Sequence, residues 1–251
     1  MKNIIIIGPG RTGSSILAGI ISNNRFYINI ESISSRGGAY PDGDYENPDL
    51  IRLNQSLFQR SGYGHTKVES NKDVDTVFMK NYSASKDISE FEDFIQKCNQ
   101  NEPWLWKDPR LAFTIFFWKN LIDINRINFI FITRDPYSVF RSFSKYGIYY
   151  TKQEIYQRYQ YQIDTSKRFF SSNNINPLHI SYSELWEKEK LIDKLNSYLG
   201  TDISLKDYDR VVKTSIKKKE ESEFSFLTRY YYGFLKLKAS KLIANRKMKR
   251  S

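Results

Sequence analysis

The chain has 251 residues, of which 40% are apolar and 16% aromatic, enough to bury a sizeable core and to exclude disorder throughout. The formal charge of +11 is local: residues 213–251 hold 12 Lys and Arg against 3 Asp and Glu (+9), leaving 27 against 25 (+2) in the first 212. Charge gathered at one end, rather than spread along a face with interleaved aromatics, argues against a nucleic-acid partner.

A single cysteine, Cys98, cannot form an internal disulfide and agrees with a reducing compartment. The two histidines, His65 and His179, are not at ligand spacing, so no metal site is expected. The first apolar run is too short for a signal-peptide core, and nothing approaches the roughly 18 apolar residues of a spanning helix. A cytoplasmic protein is expected.

In chain order, apolar runs of strand length fall at residues 3–7, 26–30, 104–106, 129–133 and 178–181, and nearly every one precedes helical periodicity. That alternation predicts an α/β, three-layer fold with a central parallel sheet flanked by helices. Residues 36–48, rich in Gly, Pro, Asp and Asn, read as a long loop, whereas residues 151–170 lack Gly and Pro and read as a helix. The charge break divides a domain of residues 1–212 from a basic, helical extension of residues 213–251. In that extension Phe224, Leu227, Tyr231, Phe234 and Leu235 recur at helical spacing among lysines. Two readings stay open there: an interfacial helix touching an anionic membrane, and a solvated basic helix with a frayed end.

The stretch IIIIGPGRTGSSILAGII, residues 4–21, carries the chemistry. A buried strand, then Gly8, Gly10 and Gly13, then a helix from about Gly13, would aim backbone N–H groups and a positive helix end at one spot, as phosphate sites require. The spacing of Gly8 and Gly13 is that of a triphosphatase loop, and Ser15 sits at its hydroxyl position. Ser14, however, stands where the lysine belongs. Arg11 is the cation inside the turn, flanked by the donors Thr12, Gly13, Ser14 and Ser15.

GPGRTGSS resembles the 5′-phosphosulfate loop of sulfotransferases that use 3′-phosphoadenylyl sulfate (PAPS). FIFITRDPYSVFRSF, residues 129–143, is similar to that family's 3′-phosphate site, with a strand, Arg-Asp-Pro and a serine eight residues after the arginine. HISYSELWEKEKLIDKLNSYLG, residues 179–200, and WLWKDPRLAFTIFFW, residues 104–118, resemble further family segments, the last one common in bacterial members. The resemblance spans residues 4–200. It implies a P-loop-like fold, PAPS as co-substrate, adenosine 3′,5′-bisphosphate (PAP) as product and no metal. It also implies binding by Gly10, Arg11, Thr12, Gly13, Ser14 and Ser15 at the 5′ end, by Arg134 and Ser142 at the 3′-phosphate, and by Tyr182 at adenine; a buried structural tyrosine is the other reading of Tyr182. The chain departs from the family at Ser183, where an acid is usual. Lys217, Lys218 and Lys219 fall where relatives bring a basic segment over the cofactor, and a solvated charge run accounts for them equally.

Sulfuryl transfer needs in-line positioning, stabilisation of charge on the leaving oxygen, and a base for the acceptor's proton. Arg11 and Lys107 suit the charge. Glu31, at the end of the second predicted strand, matches the glutamate base of carbohydrate sulfotransferases. Asp108 stands near the strand end that carries a histidine in phenol and alcohol sulfotransferases. Asp108 and Asp135 each precede proline and a helix, so both have a structural reading as N-caps, as Glu31 has as a solvated carboxylate. His65, in a predicted loop, reads as a surface residue. The expected acceptor is a glycan or other polyhydroxylated small molecule, and a lipid-linked one would give the basic tail a purpose. A P-loop kinase using Mg-ATP and a non-enzymatic protein binding membranes or nucleic acid through its tail are the rival expectations.

Overall fold

The computed structural model describes residues 1–22, 26–29, 45–63, 87–145, 150–214 and 222–248. Its centre is a four-stranded, all-parallel sheet: β1 (Asn3–Ile7), β2 (Leu105–Lys107), β3 (Ile127–Thr133) and β4 (Leu178–Ser181), in the spatial order β2-β1-β3-β4. Register is set by Ile5 opposite both Trp106 and Phe129, and by Ile132 opposite Ile180. β1 is buried along its whole length, as a strand covered on both faces must be, which is why four isoleucines follow Asn3 in it.

Successive residues of β1 serve opposite layers. Ile4 and Ile6 pack with Leu17 and Ile20 of α1 (Ser14–Ser22) and with residues of the later helices on that face, whereas Ile5 and Ile7 pack into a larger, aromatic core on the other face. That second core gathers α2 (Pro48–Phe58), α3 (Ser89–Asn99) and α4 (Leu111–Trp118). All eight residues of α4 are buried, so it is a helix without a wet face. Trp104 stacks on Trp106 at 4.3 Å, and Trp118 meets Trp106 edge-on at 5.0 Å. Helices therefore cover both faces, and the expected three-layer α/β architecture is the one observed.

The second half of the chain adds α5 (Pro136–Lys145), α6 (Lys152–Ser172), α7 (Lys188–Leu199), α8 (Leu205–Thr214) and α9 (Glu223–Met248). Thr151 and Glu154 cap α6 reciprocally, and this capping box fixes the start of the helix predicted over residues 151–170. α7 stops at Gly200, whose φ of 66° is the left-handed cap that glycine adopts without cost.

Three elements differ from the sequence reading. The run at residues 26–30 contributes one parallel bridge, Tyr27 to Trp104, rather than a ladder, and Ile30 lies outside the described residues. The division between residues 212 and 213 falls inside α8, whose Tyr208 and Val211 belong to the same apolar cluster as α1. α9 joins the aromatic core through Phe226 and Tyr230, which the sequence reading did not single out, with Phe234 of the expected stripe packed against it. Among the described residues, no helix is long and apolar enough to cross a membrane.

Candidate functional site

The chain runs from β1 outward to β2, then crosses back past β1 to β3. That reversal leaves a crevice beyond the carboxyl ends of β1 and β3, the place where open parallel sheets bind ligands. The loop after β1 and Arg134 after β3 both lie there.

Local sterics shape the loop. A Cβ on Gly8 would stand 2.3 Å from the Ile132 carbonyl oxygen, so β1 and β3 can lie this close only with glycine. Gly13 has φ of 90°, and a Cβ there would meet Leu185 at 2.5 Å and Tyr182 at 2.9 Å. Arg11 is also left-handed, with φ of 68°, a conformation that costs a non-glycine residue about 1–2 kcal/mol. Thr12 is wholly buried and donates its hydroxyl to the Pro9 carbonyl at 2.7 Å. Its side chain closes the turn.

Two cationic groups flank the loop. On the β3 side, Arg134 Nη1 donates to the Arg11 carbonyl at 3.1 Å, and its guanidinium carbon lies 3.7 Å from the centre of the Tyr182 ring. Its backbone N–H donates to the Tyr159 hydroxyl at 3.1 Å. Arg11 Nε donates to Ser142 Oγ at 3.2 Å, so Ser142 meets Arg11 directly and Arg134 reaches it through Arg11. On the β2 side, the buried Lys107 donates to Ser15 Oγ at 2.9 Å and to Glu46 Oε1 at 2.6 Å. Arg11, Arg134, Ser142 and Tyr182 thus form one pole, and Lys107, Ser15 and Glu46 the other.

Asp135 is the N-cap expected of it, accepting from the Ser138 N–H at 2.7 Å ahead of Pro136. Asp108 differs. The residue flanking α4 is Arg110, and Asp108 instead accepts from the Arg110 N–H at 2.9 Å and from its guanidinium at 3.1 Å. Its second oxygen accepts from Asn54 Nδ2 at 2.9 Å, while Asn54 Oδ1 accepts from Trp118 at 2.8 Å. Both oxygens of this buried carboxylate are engaged in fastening β2 to α2 and α4. Glu31, Ser32, His65, Lys217, Lys218 and Lys219 lie outside the described residues.

Sequence reasoning missed four residues of this region. Glu46 partners Lys107 from a segment with no motif of its own. Glu184, one position after the departure at Ser183, accepts from the Ser181 N–H at 2.7 Å and pairs with Lys194. Burial by itself would raise its carboxyl, but the hydrogen bonds from Lys194 and Ser181 outweigh that and hold it down to about 2. The turn carrying Tyr182 is thereby anchored. Trp186 sets its half-exposed ring edge-on to Tyr182 at 5.6 Å. Arg158, nearly buried, lines a small cavity beneath Pro9 and Gly10 and stacks on Tyr150 at 3.8 Å.

Among the described residues, no three His, Cys, Asp or Glu side chains are grouped to hold a metal ion. No protein-family model matches the chain, and none of the curated proteins matches it.

Proposed function

We propose that this protein is a sulfotransferase that moves a sulfuryl group from PAPS to a hydroxyl or amine of an acceptor, a glycan or other polyhydroxylated metabolite. The observation that carries this reading is the contact of Arg134 with the Arg11 carbonyl and the Tyr182 ring. It ties a guanidinium from the end of β3 to the anion-gripping loop after β1. A nucleotide with anions at both its 5′ and 3′ positions needs such a second pole, and ATP lacks the 3′-phosphate that would use it.

The donor set fits this co-substrate. Arg134 and Ser142 supply charge and a hydroxyl for the 3′-phosphate, and Arg11, with the amides of Gly13, Ser14 and Ser15 at a helix N-terminus, serves the 5′ end. Gly10 fits as well: a Cβ there would meet only ordinary contacts, the nearest 3.6 Å away, so the fold does not demand glycine at this point of the loop. Close approach of a ligand would.

PAPS supplies an activated sulfuryl group, whose S–O bond to phosphate breaks as the acceptor's oxygen or nitrogen bonds to sulfur. The electron pair of the broken bond stays on the phosphate oxygen. Lys107, in a largely water-excluded site, is suited to stabilise that charge, with the loop amides beside it. The acceptor's proton needs a carboxylate. Asp108 has both oxygens committed, which favours Glu31 for this task. The kinase reading is weakened by Lys107, whose ammonium sits on the Ser15 hydroxyl that a triphosphatase offers to Mg²⁺.

The test is thermal stabilisation by adenosine 3′,5′-bisphosphate against ATP, with and without EDTA. Stabilisation by the bisphosphate that survives EDTA and disappears in Arg134→Ala is expected, and stabilisation by Mg-ATP alone would sink the proposal. With PAPS and a panel of acceptor sugars, Glu31→Gln should bind the bisphosphate normally and turn over about 10²-fold or more slowly.

A further inference from the structure

α9 is apolar on two faces. Phe226 and Tyr230 turn inward, meeting Phe140 of α5 at 5.5 and 5.0 Å, and Phe234 continues that line. Phe224, Leu227, Tyr231 and Leu235, spaced by three and four residues, form a second line along the helix, with Tyr232 beside it. Those side chains stand in solvent: Phe224 is 82% exposed, Tyr231 58%, Tyr232 69% and Leu235 63%. The line runs for about 16 Å, too continuous for the single apolar residues that any surface scatters.

Charge decides what covers it. Lys236 and Lys238 are exposed in the same stretch, and the sequence goes on to Lys241, Arg246, Lys247, Lys249 and Arg250. Glu223, the only acidic residue of α9, is held by Arg141 and Tyr137. A second copy of the chain would set one +9 segment against another and be repelled. An anionic bilayer attracts the same charge and accepts Phe, Tyr and Leu at headgroup depth.

We propose that α9 is an interfacial anchor that lays Phe224, Leu227, Tyr231 and Leu235 into the headgroup layer of an anionic membrane, with Lys236 and Lys238 on its phosphates. The anchor stands independently of the nucleotide reading. It would nonetheless bring the crevice close to the bilayer, because α9 packs on α5 and α5 carries Ser142.

The full chain is floated with vesicles of phosphatidylcholine alone or with about 30% phosphatidylglycerol, alongside sedimentation of the chain by itself. Binding to the anionic vesicles only, weakened by salt, is expected. The variant Phe224→Ser/Tyr231→Ser/Leu235→Ser keeps every charge and should bind about tenfold more weakly with unchanged melting. Leu235→Ser alone should lose part of the binding, so the conclusion does not hang on the folding of one variant. Failure of the parent chain to float, equal binding to neutral vesicles, or undiminished binding by the triple variant overturns the proposal. So does a dimer, abolished by those serines, in a chain that ignores vesicles.

Discussion

Arg134 lies between the Arg11 carbonyl, 3.1 Å from its Nη1, and the Tyr182 ring, 3.7 Å from its guanidinium carbon. One side chain thus joins the loop after β1, the end of β3 and the turn after β4. The ring orients the guanidinium. Such a contact is worth about 0.5–2 kcal/mol, more as it becomes desolvated. Tyr182→Phe keeps the ring and should hold the bisphosphate within about twofold of the parent, whereas Tyr182→Ala should bind about tenfold more weakly. Titration followed by tryptophan fluorescence checks this, since Trp186 flanks the same ring. Equal losses in both variants would show that the hydroxyl, not the stack, is what matters.

Two of the loop glycines, Gly8 and Gly10, separate folding from ligand approach. Gly8→Ala drives a methyl into the backbone of β3 and should cost several kcal/mol or prevent folding. Gly10→Ala meets nothing closer than Phe143 at 3.6 Å and should melt within about 1 kcal/mol of the parent. If the loop grips phosphate through its backbone, Gly10→Ala should still lose bisphosphate affinity. Denaturant melts and ligand titrations on both variants read the two effects apart, and normal binding by Gly10→Ala would mean that the ligand does not press on this residue.

Much of this arrangement was legible in the sequence because its signals are local. Residues 4–7 of β1 and 129–132 of β3 are unbroken apolar runs, the stretch that forms α6 lacks Gly and Pro, and Arg134 follows a strand with no local role as a cap or turn. The parts that were not legible depend on distant partners. Glu46 pairs with Lys107, 61 residues later, and Asp108 accepts from Asn54, 54 residues earlier. The inner face of α9 was not legible for a different reason. Apolar residues lie on both of its faces, so the helical spacing of Phe224, Leu227, Tyr231, Phe234 and Leu235 does not single out Phe226 and Tyr230 as the residues that turn inward. Charge counting likewise put a boundary at residue 212, a position that lies within α8.

Glu184 makes the Tyr182 turn sensitive to acid. Its carboxyl is depressed from 4.5 to about 2 in the folded protein, so the stabilisation it provides is complete above pH 4.5 and is lost as pH falls toward 2. Glu184→Gln should therefore melt below the parent at about pH 7 by an amount that stays level down to about pH 5 and then shrinks. Melting curves across that range give the answer. A gap that widens on acidification would reverse the sign and remove Glu184 as the anchor of the turn.

The Lys107–Glu46 pair gives a sharper test of the β2 pole. Lys107 is buried, and Glu46 balances its charge at 2.6 Å. Breaking such a pair from one side leaves an uncompensated buried charge and costs up to about 3–5 kcal/mol, while replacing both partners by neutral groups can be nearly free. Glu46→Gln should thus be markedly less stable than the parent, and Lys107→Met/Glu46→Gln should recover most of the loss. An anion brought to the loop would balance the stranded ammonium. The bisphosphate should therefore raise the melting temperature of Glu46→Gln by more than it raises that of the parent, and should raise that of the double variant least. Equal ligand shifts in all three proteins would place Lys107 away from the bound anion, leaving it as a strut between β2 and Ser15 and assigning the leaving charge to the loop amides.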